Sequence, residues 1–204
     1  MADVVSYRRE GEIATITINN PPVNALSLPV RKGIQDAVRQ FSADREARAA
    51  ILICDGRTFI AGADITEFDK PRQDPWLPEV IQEMEACEKI IVAAIHGTAL
   101  GGGLETAMAC HYRCAVTSAR VGLPEVTLGL LPGASGTQRL PRLIGLKDAL
   151  DAMVTGKPMS AESACERGAI DHLVDGDDLQ EGAVAYTKML LANGSKPRRV
   201  SEMA

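Results

Sequence analysis

IIVAAIHGTALGGGLETAMAC, residues 90–110, is the stretch on which the reading of this chain turns. Its opening run, Ile90 to Gly97, is almost wholly apolar and predicts a strand covered on both faces. Three consecutive glycines follow, Gly101 to Gly103, and then a helix-like run carrying a single acid, Glu105. Glycine loses more backbone freedom on folding than any other residue, so three in a row need a physical reason. Two are open. Without Cβ atoms, the glycines let a ligand approach the main chain, where the unpaired N–H groups and dipole of a helix start favour a negatively charged oxygen. Alternatively, they only let a strand and a helix pack closely. Known phosphate loops do not fit. Thr106 stands where G-x-G-x-x-G needs its third glycine, and no Gly-Lys-Ser/Thr follows.

Outward from this stretch, strand and helix patterns alternate. IATITI (13–18) has one inward face, and AAILIC (49–54) is a continuous apolar strand. Between them NNPPVNAL (19–26) is turn and loop. Ser27 is placed to cap a helix in which Val30, Ile34, Val38 and Phe41 recur at helical spacing. GRTFIAGADITEFDKPRQDPW (56–76) is a long loop with a short helical piece, and long loops in compact domains are often functional. EVIQEMEACEKI (79–90) reads as a helix and YRCAVTS (112–118) as a strand. VGLPEVTLGLLPGASGTQRLPRLIG (121–145) holds more Gly and Pro than a plain connector needs. Three short helices come after it, with Gly156, Gly168 and Gly194 as C-terminal stops. The alternation predicts an α/β fold. The basic SKPRR (195–199) reads as a solvated end.

At 204 residues, 46% apolar and 24% charged, the chain can build one domain with a real core. Aromatics are 3%, so Ala, Val, Ile and Leu must fill that core. A net charge of −5 argues against nucleic-acid binding. No apolar run is long enough for a membrane span, and MADVVSYRREGE lacks a signal segment, which points to the cytoplasm. The five cysteines include no C-x-x-C pair and have no zinc spacing with the three histidines. They read as free buried thiols, and no metal site is expected.

Two acids stand out. Glu105 sits in the first turn of the presumed helix, and Glu125 sits among apolar residues in GLPEV. Each alone could be a solvated acid, and Glu105 could simply complement the helix dipole. Beside a site that stabilises an oxyanion, the two would suit general acid–base chemistry on a carbonyl compound.

These same residues carry a family resemblance. GRTFIAGADITEF, AIHGTALGGGLETAMAC and VGLPEVTLGLLPGASGTQRLPRLIG resemble the signature segments of the enoyl-CoA hydratase/isomerase (crotonase) superfamily. GGGLE, CHYR and ARVGLPEVTLGLLPG are most similar to the hydratase half of bifunctional enoyl-CoA hydratase/3-hydroxyacyl-CoA dehydrogenases. The likeness runs from Val4 to Asp175. It implies a spiral of ββα units and an acyl-CoA substrate, with coenzyme A carried by the substrate and no separate cofactor. It implies that the backbone N–H groups of Ala63 and Gly102 form an oxyanion hole and that Glu105 and Glu125 are the two catalytic acids. It implies substrate contacts at Ala61, Gly62, Asp64, Ile65, Gly101, Pro132 and Gly133, with Asp64 also able to cap the piece after it. Arg139 reads as a structural ion-pair partner, and a trimer or dimer of trimers is the family habit. The resemblance also implies further C-terminal helices that this chain lacks, so residues 1–204 are expected to be a single truncated hydratase domain without a dehydrogenase half or NAD site. The expected activity is hydration of a trans-2-enoyl-CoA. The alternatives are Δ3-Δ2-enoyl-CoA isomerisation and an inactive acyl-CoA-binding or assembly module.

Overall fold

The computed structural model describes residues 4–67, 70–175 and 178–204. Phe68 and Asp69, inside the long loop named above, lie outside the described residues. The chain opens with β1 (Val5–Glu10) and β2 (Ile13–Ile18), an antiparallel pair. Helix α1 (Leu28–Ala43) leads to β3 (Ala49–Cys54), and α2 (Leu77–Ala86) leads to β4 (Ile90–Ile95). From there each turn of chain adds a strand to one sheet and then a short strand to another. The sequence is β5 (Thr98–Leu100), α3 (Gly102–Ala109), β6 (Tyr112–Val116) and β7 (Arg120–Gly122). Then come α4 (Gly136–Ile144), α5 (Leu146–Thr155), β8 (Met159–Ser160), α6 (Ala161–Arg167), β9 (His172–Val174) and α7 (Leu179–Ala192). The large sheet has the order β1-β2-β3-β4-β6-β9 and is parallel from β2 onward. The small sheet is β5-β7-β8. This is the expected α/β spiral.

The large sheet is covered on both faces, as the apolar runs require. In β3, Ala50 and Leu52 join the core beneath α1 and α3, whereas Ala49 and Ile51 meet Leu179, Ala183, Tyr186 and Leu190 of α7. Aliphatic side chains and alanines fill most of this core, with Phe41 and Phe59 fully buried among them. In β2 the two threonines are half-buried, and Ile16 and Ile18 are buried.

Some details differ from the sequence reading, among them β1, whose VSYRRE run has no pattern of its own. Helix α2 begins two residues earlier than expected and stops at Ala86, with Cys87 already extended. Ser27 precedes α1, but its side chain makes no capping bond; Glu67 accepts the Leu28 N–H instead, at 2.8 Å. Gly156, Gly168 and Gly194 do end α5, α6 and α7 in left-handed conformations, Gly194 directly after the cap residue Asn193. The tail is not a solvated end. Arg198 pairs with Asp171, Arg199 donates to the Glu85 carbonyl, and Val200 is buried. Asp171 and Glu85 are carboxylates with little access to water, and buried charges need paired counter-charges and donors.

Candidate active site

The three glycines of residues 101–103 are required for three different reasons. Gly101 has φ +53°, a backbone state that favours glycine. A Cβ on Gly103 would stand 2.0 Å from the Ile60 carbonyl oxygen, so here close packing is the reason. Gly102 is different again. Its hypothetical Cβ would meet Leu26 and Leu77 side-chain ends at 3.0 Å and would lie 3.8 Å from the Ala63 nitrogen. Both readings of the glycine run are therefore realised, at different positions.

Gly102 and Ala63 both line a cavity of about 510 Å3. Gly102 is the first residue of α3, so its N–H has no partner within the helix. Neither N–H meets a protein acceptor among the described residues. Ala63 is held by a single bridge to Leu26, whose N–H donates to the Gly62 carbonyl at 3.0 Å. Two donors from separate segments thus line one cavity.

Both acids line the same cavity. Glu105 is 2% exposed. Its Oε1 accepts the Ala134 N–H at 2.8 Å and the Gly136 N–H at 2.7 Å. That fixes the carboxylate and leaves Oε2 for other work. Burial pushes its pKa up to about 7, the Glu125 charge adds to the rise, and the two amides oppose it. Glu125 starts a short 3-10 turn, Glu125–Leu128, directly after Pro124. Its Oε1 lies over Gly101, 3.0 Å from where a Cβ would be, and its Oε2 is buried without a hydrogen-bond partner. Burial raises this pKa too. Burial thus raises the pKa of both acids on this cavity.

The other predicted site residues divide. Asp64 and Gly133 line the cavity. Asp64 also accepts the Thr66 N–H at 2.9 Å, so it shapes the turn Ile65–Glu67 as well. Ala61, Gly62, Ile65, Gly101 and Pro132 are not among the lining residues. Ala61 donates its N–H to Val23, Ile65 is 70% exposed, and Pro132 is buried beside Gly136. Arg139 forms an ion pair with Glu85 at 2.7 Å, and its guanidinium also reaches the Ala134 carbonyl. It thereby braces the loop that holds Glu105. Sequence reasoning missed the Ala134 and Gly136 amides, the apolar walls Leu26, Trp76 and Leu77, and the pair Arg31 and Glu67. Only Arg31 left a signal, as a charge adjoining the apolar stripe of α1. All five cysteines are free, four of them buried. Among the described residues no cluster of His, Cys, Asp and Glu could hold a metal ion, and no helix is long and apolar enough to cross a membrane.

A family model described as enoyl-CoA hydratase/isomerase matches residues 8–202. The chain belongs to this family. It is 44% identical over 189 residues to a peroxisomal bifunctional enzyme of Danio rerio, covering 93% of this chain and 26% of the relative. The chain therefore spans about a quarter of that relative's length. A probable enoyl-CoA hydratase of Bacillus subtilis is 44% identical over 175 residues, covering 82% of this chain and 68% of the relative. Among solved structures, an enoyl-CoA hydratase from Bacillus anthracis superposes with a TM-score of 0.86 at 34% identity, over 93% of this chain and 77% of the other.

Proposed function

We propose that this chain hydrates trans-2-enoyl-CoA thioesters to 3-hydroxyacyl-CoA, in fatty-acid β-oxidation or a related acyl-CoA pathway. The observation that carries the reading is the meeting of two unpaired backbone N–H groups and two acids on one cavity. The Ala63 and Gly102 N–H groups take the thioester oxygen as an oxyanion hole. Charge on that oxygen grows as the enolate forms, so fixed donors there bind the transition state better than the substrate. Glu105, pinned by two amides, orients a water and takes its proton as the oxygen adds to the β-carbon. Glu125, whose buried Oε2 favours a protonated carboxyl, delivers a proton to the α-carbon and is recharged with the proton taken from the water, which returns both acids to their starting state. The sum is the addition of water across the double bond, without oxidation or reduction. Coenzyme A arrives with the substrate, so the chemistry needs no resident cofactor. Two acids on one cavity favour hydration over isomerisation, which needs only one. The long loops on either side of the sites, through Pro71, Gln73, Trp76, Leu130 and Leu131, form the acyl walls.

The test is the loss of enoyl ultraviolet absorbance when the purified chain meets crotonyl-CoA. The wild type should consume it and Glu125→Gln should not. Equal rates in the two would sink the mechanism.

We also propose a homo-oligomer, a trimer or dimer of trimers. Leu146, Leu150 and Val154 expose one face of α5, and the turn packed against α5 exposes Val126 and Leu128. Proteins tend to hide such patches by association. Sedimentation equilibrium should give three or six times the 21.7 kDa chain mass. A single species at the chain mass would refute the assembly. The free thiols support a reducing compartment, and we place the protein in the cytoplasm, although relatives carry peroxisomal names. Recovery of the protein in an organelle fraction would overturn that placement.

A further inference from the structure

Arg31 is 9% exposed yet lines the cavity, and its guanidinium makes four hydrogen bonds. Nη1 donates to the Leu26 carbonyl and to Glu67 Oε2, both at 2.7 Å, and Nε donates to the Pro75 carbonyl at 2.9 Å. The other oxygen of Glu67 accepts the Leu28 N–H, 39 residues away in the chain. Glu67 thus caps α1, a place that suits a negative charge because of the helix dipole. Arg31 Nη2 reaches the Gln73 carbonyl at 3.4 Å. What the two side chains hold is informative. Leu26 is the residue bridged to Ala63, and its N–H donates to Gly62. Glu67 ends the turn that begins just after Asp64. Residues 26–31 therefore grip the segment carrying Ala63 at both ends, once by backbone and once by the ion pair.

We propose that Glu67 and Arg31 are positioning residues, clamping the Ala63 segment and the cavity rim onto the start of α1 and so setting where the Ala63 N–H stands. The inference rests on Ala63 acting as an oxyanion donor. A donor displaced by about 1 Å can lower a rate by about 100-fold, so the clamp should act on turnover more than on binding.

The experiment compares the wild type with Glu67→Ala, Glu67→Gln and Arg31→Lys. Crotonyl-CoA gives kcat and KM. Bound cinnamoyl-CoA gives a red shift in absorbance that reports polarisation of the thioester carbonyl. Amide hydrogen exchange reports the clamp itself. Glu67→Ala should lower kcat by about 10- to 100-fold with little change in KM, shrink the red shift, and speed exchange at Leu28 and Leu26, whose amides are bonded to Glu67 and Gly62. Glu67→Gln keeps an acceptor for the Leu28 N–H and should recover most of each signal. Wild-type kcat and red shift in folded Glu67→Ala would overturn the proposal. Should that variant not fold, Arg31→Lys carries the test: its single ammonium cannot hold three partners in the same geometry. It should lose kcat and red shift together, and wild-type values for both would overturn the clamp. If the wild type itself shows neither turnover nor red shift, the oxyanion reading fails separately. The clamp is then judged by exchange alone, where unchanged rates overturn it.

Discussion

Glu105→Gln is expected to be more stable than the wild type at pH 8 and nearly inactive. The folded protein raises the Glu105 pKa from 4.5 to about 7, mainly by burial. A carboxyl with a raised pKa binds its proton more tightly in the folded state than in the unfolded chain. Below about pH 4.5 both states are protonated and nothing is lost. As pH rises toward 7 the unfolded chain releases the proton first, and stability falls until the folded state has ionised as well. Above pH 7 the accumulated loss is of the order of 3 kcal/mol. Glutamine has no such loss, and its carbonyl can still accept the Ala134 and Gly136 N–H groups. The variant should therefore melt about 6–10 °C higher at pH 8, with the gap closing as pH falls toward 4.5. Hydration of crotonyl-CoA should fall by about 100- to 10,000-fold, the usual range for loss of a general base. Thermal unfolding at several pH values, run beside the enoyl assay, checks both. A pH-independent gap, or a stable variant with wild-type turnover, would remove Glu105 from the role assigned to it.

Alanine at two adjacent glycines should fail in opposite ways. In Gly103→Ala the new methyl meets the Ile60 carbonyl oxygen at 2.0 Å and its carbon at 2.8 Å. That carbonyl is not free to retreat, since it accepts the Leu100 N–H at 3.1 Å. Overpacking usually costs about 1–3 kcal/mol, and a clash with fixed backbone belongs at or beyond the top of that range. The variant should be insoluble or unfold at much lower denaturant. In Gly102→Ala the methyl meets only the ends of the Leu26 and Leu77 side chains, which can rotate. That variant should fold, but its methyl occupies space close to the Ala63 nitrogen, where the thioester oxygen is proposed to sit. Its kcat/KM should fall by about 100-fold or more, as for loss of an oxyanion donor. Denaturant titration and the enoyl assay separate the two. Gly102→Ala with full activity would move the oxyanion elsewhere.

The long apolar runs were legible as regular elements, whereas β1, mostly exposed and rich in charge, was not. The runs IATITI, AAILIC and IIVAAI, together with the stripe Val30, Ile34, Val38 and Phe41, announced β2, β3, β4 and α1. The small sheet was not legible, because β5, β7 and β8 hold only three, three and two residues. Strands that short have no readable period and exist through their partners. The acids and the glycine run were legible as chemistry, and the resemblance supplied their grouping. The amides of Ala134 and Gly136 were invisible, since a backbone donor has no side-chain signature. Glu85 looked like one more acid on a helix, whereas it is buried against Arg139 and the Ser201 N–H. Pairing across 54 and 116 residues lies beyond any local pattern.

The Arg31 guanidinium holds the cavity rim by the carbonyls of Leu26 and Pro75, groups that every amino acid possesses. Contacts of that kind do not inspect side chains. A change of side chain at Gln73, which Arg31 meets only through its carbonyl, therefore leaves that hold in place. On the proposed reading, the lining of the rim and the placing of the Ala63 N–H are set by different atoms, side chains for the one and backbone for the other.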